Sequence, residues 1–168
     1  MLRYHPAHDP QHAAFRCLRL LLAQSDHKFH TLALRILDFF LLFPAELEGI
    51  RMPAQWRNLK IAFRAHANKY FSAVSKHSVF HQMYNPQTAG FQLLISRSLI
   101  VAERFSKDNI DLVLEKVPRV LRKRIAEKNV GDSQLIDFLV NKIGGLPLLG
   151  EDGLKHRTGL IEYRYDAP

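Results

Sequence analysis

Histidine and aspartate crowd the start of the chain: His5, His8, Asp9 and His12 fall within eight residues. His8 and His12 stand at i, i+4 spacing, which on a helix places two imidazoles over one face, as a metal site requires. Asp9-Pro10, however, has the form of a helix cap followed by proline at the first helical position. His8 then precedes the helix, and no further carboxylate follows at helical spacing. The segment therefore predicts a packed helix entry and no metal. Ser75, His77, Ser78 and His81 also cluster, but a general base needs a nucleophile within reach and a partner that orients it. The chain contains no GxSxG, no HExxH, no phosphate-cradling glycine loop and no paired-carboxylate motif. Capping and exposed helical roles are expected for this cluster. Cys17 is the single cysteine, so no intrachain disulfide forms, and its apolar helical setting predicts a buried, inert thiol. No catalytic residue and no cofactor are expected, and the chain reads as a non-enzyme.

Asp38 is the most unusual carboxylate. It sits in LRILDFFLLFP, residues 34–44, among large apolar groups. A buried carboxylate is costly unless it meets a cation or lies at an interface. Arg35, three residues earlier, reaches the same helical face. Two readings stand: an intrachain ion pair at the edge of the core, or a partner-facing group. Under the second, Arg35 and Asp38 set register while Phe39, Phe40 and Phe43 are the interface anchors.

Basic residues gather toward the C-terminus: Arg119, Arg122, Lys123, Arg124 and Lys128, then Lys155, His156 and Arg157. The formal net charge of +8 favours a polyanionic partner, such as nucleic acid, an acidic protein or a membrane surface. Arg122, Lys123, Arg124, Lys128, Lys155, His156 and Arg157 are the candidate nucleic-acid contacts. Glu115, Glu127, Glu151 and Asp152 interrupt them, so a solvated surface is an equally good reading.

The elements that must carry these groups are mainly helical. The 168 residues, 47% of them apolar, suffice for one core or two closely packed small ones. Helices are predicted from Pro10 to Gln24, with Arg16 and Arg19 off the apolar face, from Lys28 to Phe43, where Pro44 stops it, and from Gln55 to Ala67. Residues 70–84 look helical but weakly amphipathic, and Asn85-Pro86 opens a helix that continues toward Ala102. A short helix capped by Asp108 or Asn109 should follow. Pro118 opens another, with Val120, Leu121 and Ile125 inside, and Asp132 caps the last, which closes at Gly144-Gly145. Two β-like segments, Leu146 to Leu149 and Gly159 to Tyr165, flank a basic tip. This order describes a winged helix-turn-helix, a unit that can dock on DNA. The expected fold class is mainly α, with a helical region over residues 1–105 and a winged-helix-like region with a β-hairpin wing over 106–168, packed as one compact unit. The longest apolar run, Leu32 to Phe43, contains Arg35 and Asp38 and falls short of the roughly 20 residues a membrane span needs. No signal peptide is visible, and a cytoplasmic location without membrane contact is expected.

Three stretches together, YHPAHDPQHAAFRCLRLL at 4–21, LRILDFFLLFP at 34–44 and GEDGLKHRTGL at 150–160, resemble the small middle components of ABC-three-component systems, the Lamassu-type antiphage operons. The resemblance spans most of the chain. It implies a non-catalytic accessory subunit whose partners are an SMC-like ATPase and a nuclease-type effector, with double-stranded DNA as a further partner. It carries over no catalytic residue. The competing expectation is a free-standing winged-helix DNA-binding regulator.

Overall fold

The computed structural model describes residues 5–64 and 75–161. Helix α1, Pro10–Ala23, begins where the Asp9-Pro10 signal places it. The Asp9 carboxylate accepts the Gln11 and His12 amides, satisfying two of the donors a helix start leaves open. A short 3-10 turn, Pro6–His8, precedes it, and His5 caps that turn through Nδ1.

The second helix starts later than expected. Lys28–His30 forms strand β1, and α2 runs Thr31–Leu42 with His30 as its cap. Strand β1 pairs antiparallel with β2, Asn109–Asp111, in the register Lys28↔Asp111, Phe29↔Ile110 and His30↔Asn109. Phe29 and Ile110 point inward while their neighbours stay outside, the period-two pattern of a half-buried ribbon. The segment expected to be a helix capped by Asp108 or Asn109 is therefore this strand, followed by a 3-10 turn at Leu114–Lys116. Asn109, Ile110 and Asp111 find their backbone partners across the chain, which local spacing cannot reveal.

After Pro44 the chain makes a 3-10 helix to Gly49, and a 3-10 turn at Ala54–Trp56 leads into α3, Arg57–Phe63. The predicted continuation to Ala67, and the first part of the 70–84 prediction, lie outside the described residues. Helix α4, Lys76–Gln82, is capped by the Ser75 hydroxyl on the Ser78 amide. Helix α5, Tyr84–Ser96, takes in Asn85-Pro86 within its first turn and stops before a separate short α6, Ala102–Phe105. Gly90 lets α5 lie against α1: a Cβ there would stand 3.0 Å from both the Ala14 nitrogen and the Pro10 carbonyl.

Helix α7, Arg119–Gly131, turns into α8, Ser133–Asp137, which runs on as a π-helical stretch, Phe138–Ile143. One hydrophobic cluster runs from Ala7 to Leu160 and centres on α1, α2 and α5, with Phe138 to Ile143 completing it.

The fold is mainly α, as expected. The expected wing is not formed over residues 146–161. Leu146 to Leu149 carries no strand, and the basic tip is helix α9, Leu154–Thr158. Leu154 and Thr158, at i, i+4 spacing, are both buried and anchor that turn. The Leu154 amide donates to the Pro147 carbonyl at 2.8 Å, folding the loop back on itself, and Gly159 ends α9 at φ +61°. The remainder of the second β-like segment, 162–165, lies outside the described residues. The two strands among the described residues join distant parts of the chain and make no wing.

Candidate functional site

Helix α2 is apolar all round, so Asp38 is enclosed by its own neighbours in sequence and by whatever packs on them. It is 0% exposed. Its partner is Arg16 of α1, through Nε to Oδ1 at 2.6 Å and Nη2 to Oδ2 at 3.1 Å. This is the two-pronged arrangement in which a guanidinium fits a carboxylate best. Burial alone would lower the Arg16 pKa, but the charge and hydrogen bonds of Asp38 outweigh it and hold the guanidinium above its ordinary value. The third prong, Nη1, donates to the Pro6 carbonyl at 3.0 Å and ties the N-terminal turn to the same node. From α5, Gln87 donates through Nε2 to Asp38 Oδ2 at 2.9 Å and to the Arg35 carbonyl at 3.1 Å.

Arg35 therefore does not pair with Asp38. Its Nη1 donates to the Tyr84 carbonyl at 3.0 Å and to Gln87 Oε1 at 3.4 Å, and its Nη2 donates to Thr88 Oγ1 at 2.8 Å. The guanidinium carbon lies 4.3 Å from the Tyr84 ring centroid and 4.9 Å from that of Phe91, within cation–π range. Burial lowers the Arg35 pKa. Phe39, Phe40 and Phe43 are core residues, Phe39 meeting Phe40 edge-on at 5.1 Å. The expectation that Asp38, Phe39, Phe40 and Phe43 face a partner is corrected by this burial: Arg16 and Gln87 hold Asp38, Phe80 of α4 meets Phe39 edge-on, and the His5 ring stacks on Phe43. Arg35, by contrast, lines a cleft.

Arg16 and Arg19, expected outside, are both buried. Arg19 donates to Asn129 Oδ1 at 2.8 Å and to Asp132 Oδ2 at 2.6 Å, and Asn129 returns a bond to the Arg19 carbonyl at 3.0 Å. Asp132 makes no side-chain cap on α8, contrary to expectation, and instead neutralises a buried cation and fastens the α7–α8 corner to α1. Cys17 is buried as expected, and burial first, then the nearby Asp38 charge, pushes its thiol well above the ordinary range.

The seven candidate nucleic-acid contacts separate into two groups. Lys123, Arg124 and Lys128 are exposed on α7, and Arg122 is half-buried. Arg124 and Lys128 line a groove of about 600 Å³ between α1 and α7, together with His12, Phe15 and Glu127. Lys155, His156 and Arg157 are half-buried on α9. Arg157 spends its guanidinium on the Asp152 carboxylate and carbonyl and on the Arg51 carbonyl. His156 meets the Glu151 carbonyl and Arg51. These two residues brace the loop they stand on, and Lys155 lines a different cavity from the α7 group.

That second cavity is a cleft of about 720 Å³ at the start of α2, lined by His30, Thr31 and Arg35 and by the aromatic rings of Phe80, Tyr84 and Phe105. Sequence reading singled out Arg35 and Lys155 but passed over Thr31 and Gln87. No local signal marks Thr31. Gln87 stands in the first turn of α5, and only the packing of that helix shows its role. Among the described residues, no group of three or more His, Cys, Asp and Glu side chains is placed to hold a metal. No helix among them is long and apolar enough to cross a membrane.

No curated protein and no solved structure matches the chain. The family model for the ABC-three-component system Middle Component 5 matches residues 2–166. Nearly the whole chain is covered, including the α1 cap, the Asp38 helix and the α9 loop. The chain therefore belongs to the Middle Component 5 family of ABC-three-component systems, which makes it an accessory component of a multi-subunit defence system.

Proposed function

We propose that this chain is a non-catalytic assembly subunit that bridges an SMC-like ATPase and a nuclease-type effector, with α7 as its docking helix. The observation that carries the reading is the state of α7. Of its thirteen residues only Ile125 is buried, while Val120 is 82% and Val130 76% exposed. Val120, Lys123, Glu127 and Val130 recur at i, i+3, i+7 and i+10, so they share one outer face. Val120 was expected inside; Ile125, on the opposite side, is the residue that packs. A helix held at its end by Arg19, Asn129 and Asp132, yet showing valines to solvent between charges, suits a contact made in an assembly. The groups best suited to chemistry elsewhere support a non-catalytic role: Cys17 is sealed in the core, and Asp38 is clamped between Arg16 and Gln87.

The test is co-purification of the assembled system. Val120→Asp combined with Val130→Asp should leave the melting of the isolated chain within about 0.5 kcal/mol of wild type, as surface changes do, while removing it from the complex. A variant that still assembles fully would place the docking surface elsewhere.

DNA contact by the same helix is the second reading, favoured by the exposed Lys123, Arg124 and Lys128. Reversing these three charges should reduce the salt dependence of DNA binding by the complex, by about 0.9 in log–log slope for each phosphate no longer neutralised. An unchanged slope would leave them as solvated side chains.

A further inference from the structure

The cleft at the start of α2 holds a cation that no carboxylate pairs among the described residues; the Asp38 charge acts on it from a distance but is bonded to Arg16. Arg35 is 5% exposed, and among the described residues it makes no ion pair. Its partners are a carbonyl, an amide and a hydroxyl, with two aromatic rings over its faces. Buried charges are ordinarily paired, because an uncompensated one is costly. A guanidinium has five N–H donors. Three are bonded, and the Nε hydrogen and one Nη2 hydrogen have no partner among the described residues. One turn earlier on the same helix, the Thr31 side chain is also nearly enclosed, at 6% exposure, and its hydroxyl has no hydrogen-bond partner among them. Both residues line the cleft. They belong to the first two turns of a twelve-residue helix, the end at which the aligned peptide dipoles favour negative charge.

The rest of the lining agrees in sign. Lys155 adds a second cation, His30 and His81 add imidazoles, and Asp108 is the one acidic side chain on the wall among the described residues. Asp108 is exposed, and its carbonyl is engaged by the Thr31 amide at 2.8 Å. Phe80, Tyr84 and Phe105 give the cleft its aromatic lining, with Tyr84 lying over the Arg35 guanidinium. The volume of about 720 Å³ falls in the range of small-molecule sites, and far above what a lone inorganic ion fills.

We propose that this cleft binds a phosphorylated small molecule of mononucleotide size, its phosphate against Arg35, Thr31 and Lys155 and its flat apolar part against the aromatic wall. The phosphate supplies the missing counter-charge and accepts the two unspent guanidinium hydrogens together with the Thr31 hydroxyl. The site is separate from the outer face of α7, so it stands or falls independently of the docking role.

Isothermal titration of the full chain with the four common nucleoside 5′-monophosphates, the matching nucleosides, inorganic phosphate and a dicarboxylate tests the proposal. At least one monophosphate should bind with one-to-one stoichiometry, and its nucleoside should bind about tenfold more weakly or worse, as expected for loss of a charge-assisted contact. Arg35 also holds α5 to α2, so its replacement can unfold the chain. Thr31→Val is the decisive variant: it keeps the side-chain shape and removes a hydroxyl that bonds to nothing within the described fold. It should leave the melting temperature of the free protein unchanged or higher while weakening the monophosphate about fivefold or more. Lys155→Ala should weaken it as well. The proposal is overturned if no monophosphate gives saturable binding in the millimolar range. It also fails if nucleoside and monophosphate bind alike, if the dicarboxylate binds more tightly than every monophosphate, or if Thr31→Val binds as wild type does.

Discussion

Replacing Asp38 with asparagine keeps the shape of the side chain and removes its charge. Arg16 is then left 6% exposed and without its carboxylate. With the new amide nitrogen in the place of Oδ2, it loses the 3.1 Å bond, keeps the 2.6 Å bond only to a neutral oxygen, and retains the Pro6 carbonyl. Gln87 loses one acceptor and keeps the other, the Arg35 carbonyl. Removing one member of a buried ion pair costs about 3–5 kcal/mol, because the other charge stays buried. A domain of this kind has roughly 5–15 kcal/mol of stability, so the variant should retain its fold only marginally. With a urea slope of about 1–3 kcal/mol/M, the midpoint should fall by at least about 1 M. The double variant Arg16→Met/Asp38→Leu should recover most of the loss, since an apolar pair of similar volume often matches a buried ion pair. Urea unfolding at pH 7, followed by circular dichroism, measures wild type, Asp38→Asn and the double variant, and the Arg16→Met and Asp38→Leu single variants close the double-mutant cycle. A loss below about 1 kcal/mol for Asp38→Asn, or a double variant no better than the worse single one, would refute the claim that this pair is buried and coupled.

Other consequences follow from the same packing. Gly90→Ala should destabilise by about 1–3 kcal/mol through overpacking against the α1 backbone, although alanine favours a helix by about 1 kcal/mol; thermal melting decides the sign. Cys17 should resist a thiol reagent in the native protein and react at full rate in denaturant, and rapid native labelling would contradict its burial. His5 has its pKa lowered by burial, and further by His8 and Arg16. A base depressed on folding stabilises the folded state above its unfolded value of 6.5, and that contribution is lost as pH falls below it. The His5 ring signal should therefore titrate with a midpoint under 6.5 by NMR, and a midpoint above it would rule out the packing of the N-terminal turn.

Much of the helical frame is legible in one dimension because its signals are local. Asp9-Pro10 marks the start of α1, since a cap and a proline act on backbone groups within one turn. Ser75 caps α4, Pro118 precedes α7, and Gly144 closes the π-helical stretch for the same kind of reason. The apolar saturation of residues 34–44 marks α2 as central, because a helix hydrophobic on every side must be enclosed. It also marks Asp38 as a carboxylate in need of a cation.

Which cation is a tertiary matter. Arg16, Arg19 and Arg35 all offer a guanidinium, and sequence distance favours Arg35, yet the packing of α1 on α2 brings Arg16 to Asp38. Arg35 is left facing a cleft, and Arg19 takes Asp132 away from the capping role its position suggests. The wing failed for a related reason. Glycines, a basic tip and β-branched or aromatic residues are compatible with a hairpin, but Leu154 and Thr158 gain more by turning together into the core as one helical face. Strands β1 and β2 could not be read locally, because their backbone partners lie on distant parts of the chain, each other foremost. Capping, periodicity and charge were thus set by neighbours in sequence; pairing, burial and the cleft were set by neighbours in space, since a desolvated charge or an open backbone group is satisfied by whatever the fold brings within about 3 Å of it.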